Sequence, residues 1–306
     1  MAYQGKNILI SIFRSTTELC RFPKSDIMFT HSAQVLKAES FRQQHHGQEI
    51  LMLPNIWDAL GARLMEKIGY PSVATASVAT ALVNGFVDGE QIPYSRLLEV
   101  IHAICSAVDV PATVDIERGF ALDTTQLKEN IHLLIENGAV GINIEDSLPG
   151  HQDLYPIDEQ VKKIDAVRET ALQCGVPIVI NARTDVFLID KTEKAIKKGI
   201  ERGLAYKAAG ADCIYPVTIS RYEDITQFVQ ELAMPINVLL MKSIANLKQL
   251  KNMGVARVSL GPHLLSHALS TMKEIAEGLM RDDTTVFFSR EPLAQPYRDS
   301  LVRRPE

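Results

Sequence analysis

The chain has 306 residues, 46% hydrophobic and 23% charged, with a formal net charge of -5 at pH 7. These are the proportions of a globular protein able to bury a sizeable core, and an acidic balance with no compact block of Lys and Arg excludes a nucleic-acid footprint. No apolar run approaches the roughly eighteen residues that a bilayer crossing needs, and Cys20, Cys105, Cys174 and Cys213 carry no CxxC spacing; a cytoplasmic protein with reduced thiols is expected, without membrane insertion or a zinc framework.

Residues 1–40 lack a clear period and are expected to form an irregular or poorly ordered N-terminal extension, with Met28 as an alternative natural start. From residue 49 short apolar runs alternate with longer amphipathic ones. Strands are predicted over 50–53, 72–77, 112–117, 140–145, 176–181, 212–215, 236–240 and 256–260. Helices are predicted over 58–68, 94–107, 124–137, 158–174, 192–209, 222–232, 244–253 and 263–280. Asp58 has the chemistry of an N-cap and Gly69 that of a helix stop, while Leu97, Leu98, Ile101 and Ile104 make one apolar face. The stretch 84–89, with Gly85 and Gly89, reads as a loop.

Strands and helices alternating at this spacing imply a parallel sheet with right-handed crossovers, and eight pairs predict closure into a (β/α)8 TIM barrel over 41–281. An open doubly wound sheet is the alternative, without the GxGxxG that would support it. Residues 282–306 read as a C-terminal tail lying on a neighbouring subunit.

In a barrel all strand ends open onto one face, so the ends can be read together. Strand two ends in Thr75-Ala76-Ser77, strand three in Asp115 and Glu117, strand four in Asn143 and Glu145-Asp146, and strand five in Asn181-Ala182-Arg183-Thr184-Asp185. Period-two geometry places Asp115 and Glu117 on one side of their strand, where two like charges call for a hard cation; the plain alternative is a solvent-exposed acidic turn. Asp115, Glu117 and Glu145 are thus candidate ligands of Mg2+, with Mn2+ as a substitute, directly or through water. Arg183 would grip a substrate carboxylate bidentately, or else neutralise Glu145 or Asp185 in a buried pair. Thr75 and Ser77 would hold the other end of the ligand, or be satisfied core hydroxyls. Asp146 and Asp185 read better as caps, and His45, His46, His151 and His263 show no metal-ligand spacing. Such a site would chelate a 2-oxo carboxylate while a cation stabilises the enolate formed when a bond at C3 breaks.

Over residues 39–280 these signals, together with 54–59, 85–89 and 258–262, make the chain similar to the isocitrate lyase/phosphoenolpyruvate mutase superfamily. The resemblance implies a barrel whose last helix is exchanged with a neighbour, dimers or tetramers, and Mg2+-dependent cleavage or rearrangement of C–C or P–C bonds. It casts Asp115 and Glu117 as metal-shell acids, Glu145 as the acid ending strand four, Asp88 as an acid near metal and substrate, and Arg183 as the carboxylate-binding arginine. Thr75, Ala76, Ser77 and Asn143 fall at substrate-binding positions. The cysteine motif of isocitrate and methylisocitrate lyases is absent from 147–155, Asn143 stands where the family usually has His, Val217 replaces a strand-six acid, and Arg118 and Ala121 replace small residues. The expectation is therefore a Mg2+-dependent carbon–carbon lyase or hydrolase acting on a short, oxaloacetate-like acid. The alternatives are phosphonopyruvate hydrolase or mutase-like P–C chemistry and a non-catalytic oxo-acid binder. His151 or Tyr155 could deliver the proton that the missing cysteine supplies elsewhere.

Overall fold

The computed structural model describes residues 31–150 and 152–302; Cys20, Met28 and His151 lie outside them. Over residues 31–40 the chain is a regular helix where an irregular segment was expected; residues 1–30 of that segment lie outside the described ones. Helix α1 (His31–Gln44) buries Ala38 and Phe41 completely, and Gln34 Nε2 donates to the Ile135 and Ala139 carbonyls at 2.7 and 3.0 Å. Its sequence has no apolar stripe, so the helix is held by these tertiary contacts rather than announced by a period.

The first expected strand is β1 (Leu51–Leu53); beyond Pro54, which has no N–H for a ladder, a second short strand absent from the predicted set, β2 (Asn55–Ile56), follows. Helix α2 (Ala59–Ile68) starts at Asp58, whose carboxylate accepts from Gly61 N at 2.6 Å, and stops at Gly69 with φ 107°. Strand β3 (Val73–Thr75), two residues shorter than expected at its end, runs straight into α3 (Ser77–Val83), a short helix in a stretch with no predicted element. Then follow α4 (Tyr94–Ala107), β4 (Ala112–Asp115), α5 (Thr124–Glu136), β5 (Gly141–Glu145) and α6 (Ile157–Gln173). Strand β6 (Val179–Thr184) leads to the single turn α7 (Val186–Ile189), α8 (Lys194–Ala208), β7 (Cys213–Pro216), α9 (Tyr222–Leu232) and β8 (Asn237–Leu239). A 3-10 turn at Lys242–Ile244, α10 (Leu247–Asn252), β9 (Arg257–Ser259), α11 (His263–Met280) and α12 (Gln295–Asp299) complete the described chain.

All strand pairings are parallel. Six strands run in the order β2-β3-β4-β5-β6-β7 and three in the order β1-β9-β8. Pro54 joins the two groups at one side, where its carbonyl accepts from Ala74 N at 3.1 Å, and a parallel bridge between Ile214 and Ile236 links β7 to the start of β8. Strand β6 sits three residues later than its apolar pattern suggests. Pro177 cannot join the ladder, so pairing begins at Val179 opposite Gly141; Arg183 consequently lies inside the strand. At the other end of the sheet Phe41 packs so closely on Gly141 that a Cβ there would stand 2.7 Å from its ring.

Helix α11 is barely buried: Leu265 and Gly278 are covered, but Leu269, Met272, Leu279 and Met280 are 49%, 65%, 44% and 87% exposed. The segment after it returns to its own chain, with Lys67 Nζ 2.6 Å from Ser300 Oγ and over the Tyr297 ring. No helix among the described residues is long and apolar enough to cross a membrane.

Candidate active site

Strand register brings the expected residues together. Asp115 on β4 pairs with Asn143 on β5, which pairs with Asn181 on β6; two residues further on, Glu145 pairs with Arg183, and Arg183 with Tyr215. Because side chains alternate, Asn143 and Glu145 share one face of β5, and Asn181 and Arg183 share one face of β6.

Asp115 is held from two sides. Its backbone N–H donates to Thr75 Oγ1 at 2.9 Å, and its carboxylate accepts from Ser77 N at 3.2 Å and Glu117 N at 3.3 Å. The Thr75-Ala76-Ser77 turn therefore rests against Asp115. Asn55 fixes that turn, donating to the Thr75 carbonyl at 2.7 Å while its Oδ1 accepts from Leu260 N and Gly261 N at 2.7 and 2.9 Å.

The strand stops at Asp115, two residues before its expected end, and the chain after it is strained. Glu117 and Phe120 have φ of 49° and 52°, values uncommon for side-chain-bearing residues. Between them Gly119, at φ 110°, leaves no room for a Cβ, which would meet Leu127 Cδ1 at 2.5 Å. This path buries Glu117, 2% exposed, with Oε2 lacking any hydrogen-bond partner. Burial, then the charge of Asp88, and further Asp115 and Glu145, push its carboxyl up to about 8.

Arg118 turns inward. It is 4% exposed, with Nη2 3.0 Å from Glu90 Oε2 and Nη1 3.5 Å from Glu145 Oε1. Glu90, itself at φ 62°, also accepts from Phe120 N at 2.7 Å, so it clamps the strained turn. Sequence reasoning missed Glu90; its place directly after Gly89 in the conspicuous loop was the available signal.

Arg183 is wholly engaged on one side. Its Nε and Nη2 meet Asp185 Oδ1 and Oδ2 at 2.6 and 3.0 Å, and Nη1 lies 2.9 Å from Glu145 Oε2. Burial opposes its charge, but Glu145 and Asp185 more than offset this and hold the guanidinium firmly protonated. Glu145 thus sits between two arginines, with Ser147 Oγ donating to Oε1 at 3.0 Å. Asp146 points away, taking Tyr206 Oη at 2.7 Å and Arg202 Nη1 at 3.1 Å, and accepts Asp185 N at 2.8 Å.

The loop after β5 folds over itself through a Ser147–Leu154 bridge. Tyr155 follows, with Lys163 Nζ 3.7 Å from its ring centroid; the same Nζ donates to the Arg118 carbonyl at 3.4 Å.

Among the described residues no three His, Cys, Asp or Glu side chains form a ready-made metal-binding group. Asp115 and Glu117 remain the acids open to a cation, with Asp88 close enough to raise the Glu117 carboxyl, whereas Glu145 is given to the arginines. Two carboxylates, one of them with an orphaned oxygen, suit Mg2+, which keeps several waters.

Residues 41–280 match the family model of phosphoenolpyruvate phosphomutase. The chain belongs to this family. It is an enzyme of the phosphoenolpyruvate mutase/isocitrate lyase superfamily, whose members include lyases and mutases. It is 24% identical to a 2-methylisocitrate lyase of Bacillus subtilis (strain 168) over 266 residues, 83% of each chain. A crystal structure of a provisionally named phosphonomutase from Burkholderia cenocepacia J2315 is 37% identical, with a TM-score of 0.76, covering 79% of this chain and 99% of that one. A phosphonopyruvate hydrolase solved with oxalate and Mg2+ shares the fold at 22% identity and a TM-score of 0.75, covering 87% of this chain and 94% of that one. In this phosphoenolpyruvate phosphomutase family member Asp115, Glu145 and Arg183 lie within the last two residues of β4, β5 and β6, Asn143 two residues before the end of β5, and Glu117 in the turn after β4.

Proposed function

We propose that this enzyme breaks a C–C bond in a short 2-oxo or 2-hydroxy carboxylate of the oxaloacetate class, through an enolate and with Mg2+ or Mn2+. The observation that carries the reading is the Glu117 Oε2 atom, a buried acid oxygen without a partner beside Asp88 and Asp115. A buried acid oxygen without a partner is costly unless something it can bind arrives. Asp115 and Glu117 would hold the cation, with Glu145 contributing from behind a water, and a bound divalent ion supplies Lewis-acid stabilisation of developing negative charge.

The chain's own groups do the rest. Arg183 uses three of its five N–H donors on Asp185 and Glu145; two remain for a substrate carboxylate. Glu145 keeps Arg183 and Arg118 in place, and Thr75, Ala76 and Ser77, with Asn143, receive the carboxylate and oxo oxygens. Asp88 acts as the acid beside the reacting end. Tyr155 stands by as proton donor at the edge of the loop, with His151 as the other candidate; a Y155F/H151A double variant that keeps full turnover would remove that role.

We read the two strand groups as one closed (β/α)8 barrel, supported by the Pro54 and Ile214–Ile236 links. The exposed apolar face of α11 supports a homo-oligomer in which that helix packs on, or swaps with, a neighbour; light scattering that finds only monomer would oppose it. Free Cys105, Cys174 and Cys213 support a cytoplasmic setting.

The test is turnover: the purified protein with Mg2+ is offered oxaloacetate, 2-methylisocitrate and phosphonopyruvate, and release of pyruvate or phosphate is followed. Oxaloacetate cleavage is the expected result. Phosphate from phosphonopyruvate would instead favour P–C chemistry, which the likeness to the Burkholderia protein supports. No product from any substrate, with oxo-acid binding retained, would favour a non-catalytic binder.

A further inference from the structure

Strand β9 places Arg257 at full burial, 0% exposed, and among the described residues no carboxylate lies within ion-pair distance of it. Its Nη2 donates to Asn143 Oδ1 at 3.1 Å, Nε lies 3.4 Å from Ser259 Oγ, and Nη1 has no hydrogen-bond partner. A core that only needed filling would be better served by an apolar side chain, because a buried guanidinium without an acid is costly.

A guanidinium can only donate, so the Asn143 atom that faces Arg257 must be oxygen. The same oxygen accepts from Asn181 Nδ2 at 2.7 Å, which fixes the second amide too and leaves Asn181 Oδ1 buried without a partner. Asn143 Nδ2 is the half left over. It donates to no described residue and is not among the closed-off buried atoms, and its residue neighbours Asp115 across the β4–β5 ladder. We infer that Arg257 is a positioning residue: it holds the Asn143 amide with its NH2 toward the bound ligand, making that point of the site a hydrogen-bond donor to an oxygen-bearing anion. The nature of the anion rests on the function proposed above; the amide orientation does not.

Two measurements test this. A neutron structure of the H/D-exchanged wild-type protein needs no ligand: deuterium on the site-facing atom of Asn143 supports the inference, and oxygen there overturns it. Calorimetric titration of oxalate in the presence of Mg2+ is then made on wild type, R257M, N143A and the double variant. R257M is expected to weaken oxalate about tenfold alone but less than twofold in the N143A background, since it acts through Asn143. Equal losses in both backgrounds, or no loss in the first, would overturn the inference. Should wild type bind no oxalate, the functional reading fails by itself; should R257M not fold, the neutron structure still decides.

Discussion

Arg183 and Asp185, two residues apart at the end of β6, meet fork to fork, Nε to Oδ1 at 2.6 Å and Nη2 to Oδ2 at 3.0 Å, with the Asp185 side chain fully buried. Such a pair aims the guanidinium toward Glu145 and sets which donors stay free for a ligand. Removing one partner leaves the other charge buried and alone. D185N is expected to lose about 3 kcal/mol of stability, and an R183M/D185N double variant to lose less than the two singles together. Urea unfolding of the four proteins measures both; full additivity would mean that the pair carries no coupling.

Glu117 is a metal test that needs no substrate. Because its buried Oε2 lacks a partner, millimolar Mg2+ or Mn2+ is expected to raise the wild-type melting temperature by several degrees through mass action on the folded state. E117Q should lose most of that rise. An equal metal-induced shift in both proteins would place the cation elsewhere.

His45 predicts an acid-side loss of stability. It is 3% exposed beneath the sheet, its Nδ1 lies 2.8 Å from the Phe41 carbonyl, and burial first, then the charge of Arg257, lower it to about 3. The folded protein therefore keeps His45 neutral while the unfolded chain protonates it below about 6.5. Its contribution is intact above that pH and falls, by up to ~1.4 kcal/mol per pH unit, between about 6.5 and 3. The slope of unfolding free energy between pH 6.5 and 5 should flatten in H45Q by as much as one proton; an unchanged slope would contradict the assignment.

Gly119 combines a φ of 110° with a position where a Cβ would stand 2.5 Å from Leu127 Cδ1. G119A should cost about 2–4 kcal/mol, part conformational and part steric. In an L127A background the steric share disappears, so the pair should be less than additive in urea titration. A neutral G119A would mean that the turn relaxes freely.

Much of this protein was legible in its residues. The parallel α/β alternation follows from apolar runs of strand length separated by amphipathic runs, and the helix limits from Asp58, Gly69, Gly138, Gly175 and Gly210, because those signals are local. The same logic placed Asp115, Asn143, Glu145 and Arg183 toward the strand ends, and in the ladder Asp115 pairs with Asn143 and Glu145 with Arg183. It misread α1, whose helix is held by Phe41 and Gln34 reaching distant partners, and it set β6 three residues early because Pro177 looks apolar but cannot pair.

What no local signal could supply is how the charges are shared. Seen in sequence, Glu145 is one more acid and Arg118 an intruder in a loop of small residues; folded, Glu145 lies between Arg118 and Arg183, and Arg118 is tied to Glu90, 28 residues earlier. Likewise only the packed sheet sets Arg257 under Asn143 across 114 residues. Residue types and their spacing determined which chemistry the chain carries, since propensity and period act over a few residues; the tertiary structure decided which acid stays open to a cation and which is already neutralised, since electrostatic energy depends on distances that only the fold creates.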